Sequence, residues 1–253
     1  MRLAISLVAS LAACSGFGGP AYRAAPAQYT ATQVAPERPG LGTTFGERVD
    51  SPLRHSPFER ASAQPWAEVA LHYDDADGVR AHAEYLGGPI EPLEIYAGDG
   101  ALSVALVDDN GRILPGVAAG GRTLVVGEDG ARYRIIVRNA TTARFEIVAS
   151  VDGLDVIDGK PADPARRGYL VDPHDELVID GFRTSDREVA AFRFGRVSES
   201  YAARTTGDRD VGVIGLAIFA ERGATWSHVD RDEIERREHA NPFPARGYST
   251  PPE

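Results

Sequence analysis

RYRIIVRN (residues 132–139), RFEIVASVDGLDVIDGK (144–160), GYLVDPHDELVIDGFR (168–183), REVAAFRFG (187–195) and DVGVIGLAIFAE (210–221) are the runs whose reading decides the fold. Most alternate apolar and polar residues and break at Asp-Gly or Gly, the pattern of short strands joined by tight turns. Phe145, Ile147, Ala149 and Val151 form one inward row, and Ala190, Phe192 and Phe194 a second. Residues 211–219 are apolar on both parities, which fits a central strand covered on both faces. The expected class is mainly β, an antiparallel β-sandwich of immunoglobulin-like or jelly-roll-like type.

Working outward, residues 93–97 and 101–108 read as strands, followed by Asn110-Gly111, a strong hairpin signal. Residues 122–127 and 132–139, separated by the turn Glu128-Asp129-Gly130, are expected to pair. Further upstream, residues 66–75 read as a strand with Val69, Leu71 and Tyr73 on one face, and 42–61 as one or two short strands. Residues 76–88 read as a helix capped by Asp75 or Asp77 and stopped by Gly87-Gly88. Downstream of Gly223 the chain turns polar, with a charged helix expected over 229–240 and a frayed tail over 241–253. Expected divisions are a signal at 1–13, a tether rich in Ala, Pro, Gly, Ser and Gln at 14–40, strands and a short helix packing on the core at 41–90, the sandwich at 91–222, and a polar tail at 223–253.

Composition narrows the function. With 253 residues and 43% hydrophobic side chains the chain can build a real core. Its formal charge is −10, and the first 13 residues carry only Arg2. Such a surface repels nucleic acid, so none is expected as a partner. Lys160 is the single lysine and precedes Pro161, which excludes both a phosphate loop and a Ser-x-x-Lys nucleophile. No G-x-S-x-G elbow or strand-linked G-x-G-x-x-G occurs, and Gly212-x-x-Gly215 lies within a strand, where glycine marks close packing.

The six histidines, His55, His72, His82, His174, His228 and His239, show no H-x-x-x-H spacing, so no metal or cofactor is expected; His174 reads as a turn residue. Residues 73–84 partly imitate a calcium loop, but its first ligand would be Tyr73, which has no carboxylate. Helix capping explains that run better. Asn139-Ala140-Thr141 has the pattern of a glycosylation acceptor. The densest acidic loop holds Asp152, Asp155, Asp158 and Asp163; with Tyr169, Arg183 and Tyr201 it is the candidate binding edge. Carboxylates on its neighbouring turns could hold calcium or a cationic ligand, although Asp-Gly turns alone account for the spacing.

The N-terminus reads MRLAISLVASLAAC: one basic residue, an apolar run too short to span a bilayer, small residues, then the only cysteine. Leu11-Ala12-Ala13-Cys14 resembles the lipobox of bacterial lipoproteins; the other reading is an ordinary signal peptide with a coincidental cysteine. The resemblance implies cleavage before Cys14, a diacylglycerol thioether on its sulfur and an acylated amino group. Several acyl chains at roughly 0.8 kcal/mol per buried CH₂ would anchor the protein durably. Ser15 after the cysteine leans towards the outer rather than the inner membrane. The phrases SVDGLDVIDGK, GYLVDP, IDGFR, VAAFRF, SYAAR and VGVIGLAIF, with LGTTFGERVDSP and LHYDDADGV upstream, resemble uncharacterised exported proteins of Gram-negative bacteria over residues 41–222. The resemblance implies an envelope location and carries no activity.

The expectation is a lipid-anchored envelope protein, a non-enzymatic binding or structural module for a protein or envelope polymer, with no catalytic residues assigned. The competing expectation is a hydrolase or carbohydrate-active domain using carboxylates of the Asp152 to Asp163 loop.

Overall fold

The computed structural model describes residues 37–226 and 239–240. Strand follows strand wherever apolar residues alternate: β1 (Leu41–Asp50), β2 (Ala67–Asp74), β3 (Glu91–Pro92), β4 (Glu94–Ala97), β5 (Leu102–Val107), β6 (Pro115–Ala119), β7 (Arg122–Val126), β8 (Arg132–Asn139), β9 (Phe145–Val151), β10 (Leu154–Asp155), β11 (Tyr169–Val171), β12 (Glu176–Ile179), β13 (Gly181–Arg183), β14 (Glu188–Arg196) and β15 (Val213–Ala220). Two helices, α1 (Ala76–Leu86) and α2 (Tyr201–Thr205), complete the described elements with one 3-10 turn. No helix among the described residues is long and apolar enough to cross a membrane.

The strands form the expected sandwich. One sheet has the order β1-β14-β8-β5-β4, with β12 beside β8 and β13 beside β14; the other has β10-β9-β15-β2-β7-β6-β3, with β11 beside β9. Every strand pair is antiparallel except β2 with β7. Inward rows meet in one core: Val104 and Leu106 of β5, Tyr133 and Ile135 of β8 and Phe192 and Phe194 of β14 face Leu71 of β2, Ile147 of β9 and Ile214, Leu216 and Ile218 of β15. Tyr133 stacks between Phe192 and Phe194, with ring centroids 5.3 and 4.3 Å away. Burying each such side chain stabilises the fold by roughly 1.5–3 kcal/mol before entropy is counted.

The doubly apolar run around 211–219 becomes β15, flanked by β9 and β2. Its outward Ala217 and Phe219 are also buried, with Val148 beside them. The Arg60 guanidinium lies 3.6 Å over the Phe219 ring while its Nε donates to Glu146. α1 forms where the caps predict: Asp75 accepts a hydrogen bond from Gly78 N, and the helix ends at Gly87 with φ +71°. Val79 and Ala83, one turn apart, bury against Val117 and Leu124 on the outer side of the second sheet. Replacing Asp75 with Ala should cost about 1 kcal/mol through loss of that cap. The urea midpoint reads it, and an unchanged midpoint would contradict the cap's contribution.

Three expectations need correction. β7 and β8 do not pair: β7 joins β6 and β2, whereas β8 joins β5, β14 and β12 in the opposite sheet. The Glu128-Asp129-Gly130 turn is instead a crossing between sheets, and Gly127 makes it possible because a Cβ there would stand 2.8 Å from Leu41 and 2.9 Å from Phe194. No boundary falls at residue 90, since β1 lies along β14 and β2 beside β15, both from the far end of the chain. Nor does the folded part stop at 222: Trp226 packs edge-on to Trp66 and to Phe145, 5.3 and 4.9 Å between centroids. The signal, Cys14 and most of the tether, the helix expected over 229–240 apart from residues 239–240, and the tail lie outside the described residues.

Candidate functional site

β9 and β10 are joined by Asp152-Gly153, both at positive φ, +54° and +77°, the backbone of a type I′ hairpin turn. That geometry turns Asp152 inward, where it is 2% exposed. Its Oδ1 accepts from Tyr73 Oη (2.5 Å) and Gly212 N (2.9 Å), and its Oδ2 from Thr43 N (2.7 Å). Thr43 Oγ1 bonds to Tyr73 Oη at 2.8 Å and to Tyr133 Oη at 2.6 Å. Each hydroxyl has one proton, so with Tyr73 donating to the carboxylate, Thr43 donates to Tyr73 and Tyr133 to Thr43. The four groups form one chain of hydrogen bonds from β8 through β1 and β2 to the β9–β10 turn. Burial raises the Asp152 pKa to about 6 against hydrogen bonds with Tyr73, Thr43, Gly212 and Val213 that lower it. Burial and the Asp152 charge hold both tyrosines well above the ordinary phenol.

Asp152, expected at an exposed edge, is therefore an internal tie. Asp155 is buried as well; its Oδ1 accepts from Ile157 N and Asp158 N, and burial raises its pKa. Asp158 accepts from Lys160 N and pairs with Arg166, and Asp163 accepts from Ala165 N. These carboxylates fold their own turns, the local role that makes Asp frequent in loops. Among the described residues no group of three His, Cys, Asp or Glu side chains is placed to hold a metal ion.

Several of the expected edge residues do meet. Arg183 N donates to Val156 O, its Nε donates to Tyr169 Oη at 2.9 Å, and its Nη1 donates to Ser51 O. Tyr201 Oη lies 2.9 Å from where a Cβ on Gly159 would be, and its ring meets Phe182 and the half-exposed Phe45. Asp155, Asp158, Tyr169, Arg183 and Tyr201 thus surround the 155–159 turn, while Asp152 points into the core and Asp163 borders the outer side of the second sheet. The Asn139 amide, 3% exposed, donates to Ala143 O and Asp172 O and accepts from Thr141, so the glycosylation-like pattern is a loop brace. His174 sits in a turn at φ +55°.

Two cavities border the second sheet, the larger on its outer side and the smaller reaching round the strand ends to Leu41, Val197 and Val211. One, about 470 Å³, is lined by Glu68 and Ala70 of β2, Val148 and Ser150 of β9, Gly215 and Ala217 of β15, and Ala162, Asp163 and Pro164. The other, about 430 Å³, is lined by Arg38, His72, Asp74, His82, Arg122 and the edges of Tyr73 and Gly212. Sequence reading missed both. The outward positions of β2, Glu68, Ala70, His72 and Asp74, are legible as an alternation, but their neighbours come from strands more than 50 residues away. His72 and His82, scattered in sequence, share one cavity because the turn at Asp75 folds α1 back over the sheet. Comparison of the chain with protein-family models, with curated proteins and with solved structures returned no match.

Proposed function

We propose that the protein is a lipid-anchored cell-envelope module that binds a protein or envelope polymer and is held through acylated Cys14, in the outer rather than the inner membrane. The lipobox-like run Leu11-Ala12-Ala13-Cys14 supports the anchor. The observation that carries the binding role is a division of labour: Asp152, Asp155 and Asp158 of the acidic loop are committed to hydrogen bonds inside the fold or to an arginine, while Asp163 faces one of two open cavities that border the second sheet. A glycosidase pair would need two carboxyl groups about 5–9.5 Å apart across a pocket, and of that loop Asp163 alone borders either of these two cavities.

Cys14→Ser is expected to leave the precursor without lipid and to move it out of the detergent-extracted membrane fraction. Mass spectrometry of the wild-type N-terminus should give Cys14 as the first residue, carrying acyl chains. An intact Met1, an unmodified thiol, or a Cys14→Ser variant as firmly membrane-bound as wild type would refute the anchor.

A further inference from the structure

Strand register places the two cavities end to end. Along β2 the outward positions run Glu68, Ala70, His72. Gly215 of β15 stands opposite Ala70 and Ala217 opposite Glu68. On the other flank Leu124 of β7 stands opposite His72 in the parallel pair, which sets Arg122, two residues earlier, beside Ala70. Ala70 lines the larger cavity and its lateral neighbour Arg122 the smaller, so the two cavities adjoin on this sheet. α1 rises on one side, over β6 and β7, and the segment 162–164 on the other. The floor of the larger cavity is Ala70, Gly215 and Ala217 with Val148 and Ser150 beside them, small side chains that leave depth above the strands.

The charges of this trough are sorted. At one end stand Glu68 and Asp163, neither paired with a cation among the described residues. In the smaller cavity stand His72 and Arg122, the latter rooted beside Ala70, both with no side-chain polar partner among the described residues, and Arg38, which donates to Val211 O. Asp74 is the one carboxylate lining this end; its Oδ1 accepts from Asp75 N at the start of α1, where the helix dipole offsets negative charge. In a chain of net charge −10, a local basic end beside an acidic end separated by an apolar floor is a dipolar template.

We propose that this trough binds a short extended peptide, its cationic group at Glu68 and Asp163 and its anionic group at Arg122 and His72. Glu68 and His72 are four residues apart on a strand, about 13 Å at ~3.3 Å per residue, which matches about four residues of extended peptide. The Ala and Gly floor takes small apolar side chains and excludes bulky ones. This assignment rests on the binding-module reading above and names its ligand.

Calorimetric titration of the full chain in detergent with tetra-alanine tests it. Tetra-alanine with free termini is expected to bind, and acetylating its amino end or amidating its carboxyl end to weaken binding about threefold to fivefold each, the range an exposed charge pair supplies. Glu68→Gln should reduce the penalty for acetylation and leave that for amidation unchanged, and Arg122→Gln the reverse. Both side chains are exposed and unpaired among the described residues, so neither change threatens folding. No binding, equal binding of blocked and free peptides, or inorganic phosphate binding as tightly as the peptide would overturn the proposal. A silent titration, joined with a crosslink to an envelope partner in intact cells that survives Glu68→Gln and Arg122→Gln combined in one chain, would remove the trough and leave the binding module standing.

Discussion

Asp152→Ala is expected to lower the unfolding free energy by about 2–4 kcal/mol, because it strands the Thr43 and Gly212 amides and the Tyr73 hydroxyl in a water-free interior, and buried donors without an acceptor cost roughly 1–3 kcal/mol each, partly relieved by relaxation. The loss has a distinctive pH dependence. Burial holds the folded Asp152 near pKa 6, above the ordinary carboxylate value of about 3.9, so between these values the folded protein keeps a proton that the unfolded chain has released. The hydroxyl chain can reverse to accept from a neutral acid, with Asp152 donating to Tyr73 and Tyr73 to Thr43. The residue's contribution is therefore fully present below about pH 4 and declines as pH rises through 6, by up to about 1.4 kcal/mol per unit. Urea midpoints at pH 4.5 and pH 7.5 for wild type and variant should show the wider gap at pH 4.5. Equal gaps at the two pH values, or a variant as stable as wild type, would show that the carboxylate is not held as described.

What the sequence disclosed and what it concealed divide along the range of the interactions. The inward rows Val69, Leu71, Tyr73 and Phe145, Ile147, Ala149, Val151 were legible because alternation records a local fact, which face of a strand is wet. Asp75 and Gly87 were legible as caps because both act within one helical turn. Pairing was not. Glu128-Asp129-Gly130 has the composition of a hairpin turn, yet whether the next strand folds back or crosses is set by Gly127 lodging against Leu41 and Phe194, 86 and 67 residues away.

The acidic loop failed for a related reason. Asp152 in an Asp-Gly turn reads as solvated, and only the arrival of Thr43, Tyr73 and Gly212 from three other segments makes it internal. A partial signal was present: Tyr73 and Tyr133 occupy inward positions of β2 and β8, and a tyrosine in a core needs a partner for its hydroxyl. Asp180-Gly181 discloses only half of its role. A strand does break there, between β12 and β13, but instead of turning back the chain passes from beside β8 to beside β14 within one sheet, and Phe192 N donates to Asp180 O.

Gly181→Ala is expected to be the most damaging single-methyl addition, costing about 3 kcal/mol or more, the upper end of what overpacking a core produces. A Cβ at this position would lie 1.9 Å from Ala190 O and 2.5 Å from Ala190 C. Both are backbone atoms of β14, which cannot retreat because β1 holds one edge of it and β8 and β13 the other. β13 must therefore move, which takes Phe182 out of its contacts with Phe192 and Tyr201 and breaks the bond from Arg183 N to Val156 O. The damage should spread to the 155–159 turn, so hydrogen exchange at the Arg183 amide is expected to accelerate more than exchange in α1. Gly207→Ala is the comparison: there φ is +113° and nothing stands within 4 Å of the added carbon, leaving only the backbone strain of a non-glycine residue, about 1–3 kcal/mol. If urea unfolding finds Gly181→Ala no costlier than Gly207→Ala, β13 does not lie against β14 in the register that brings the Tyr169 and Arg183 pair to the acidic turn.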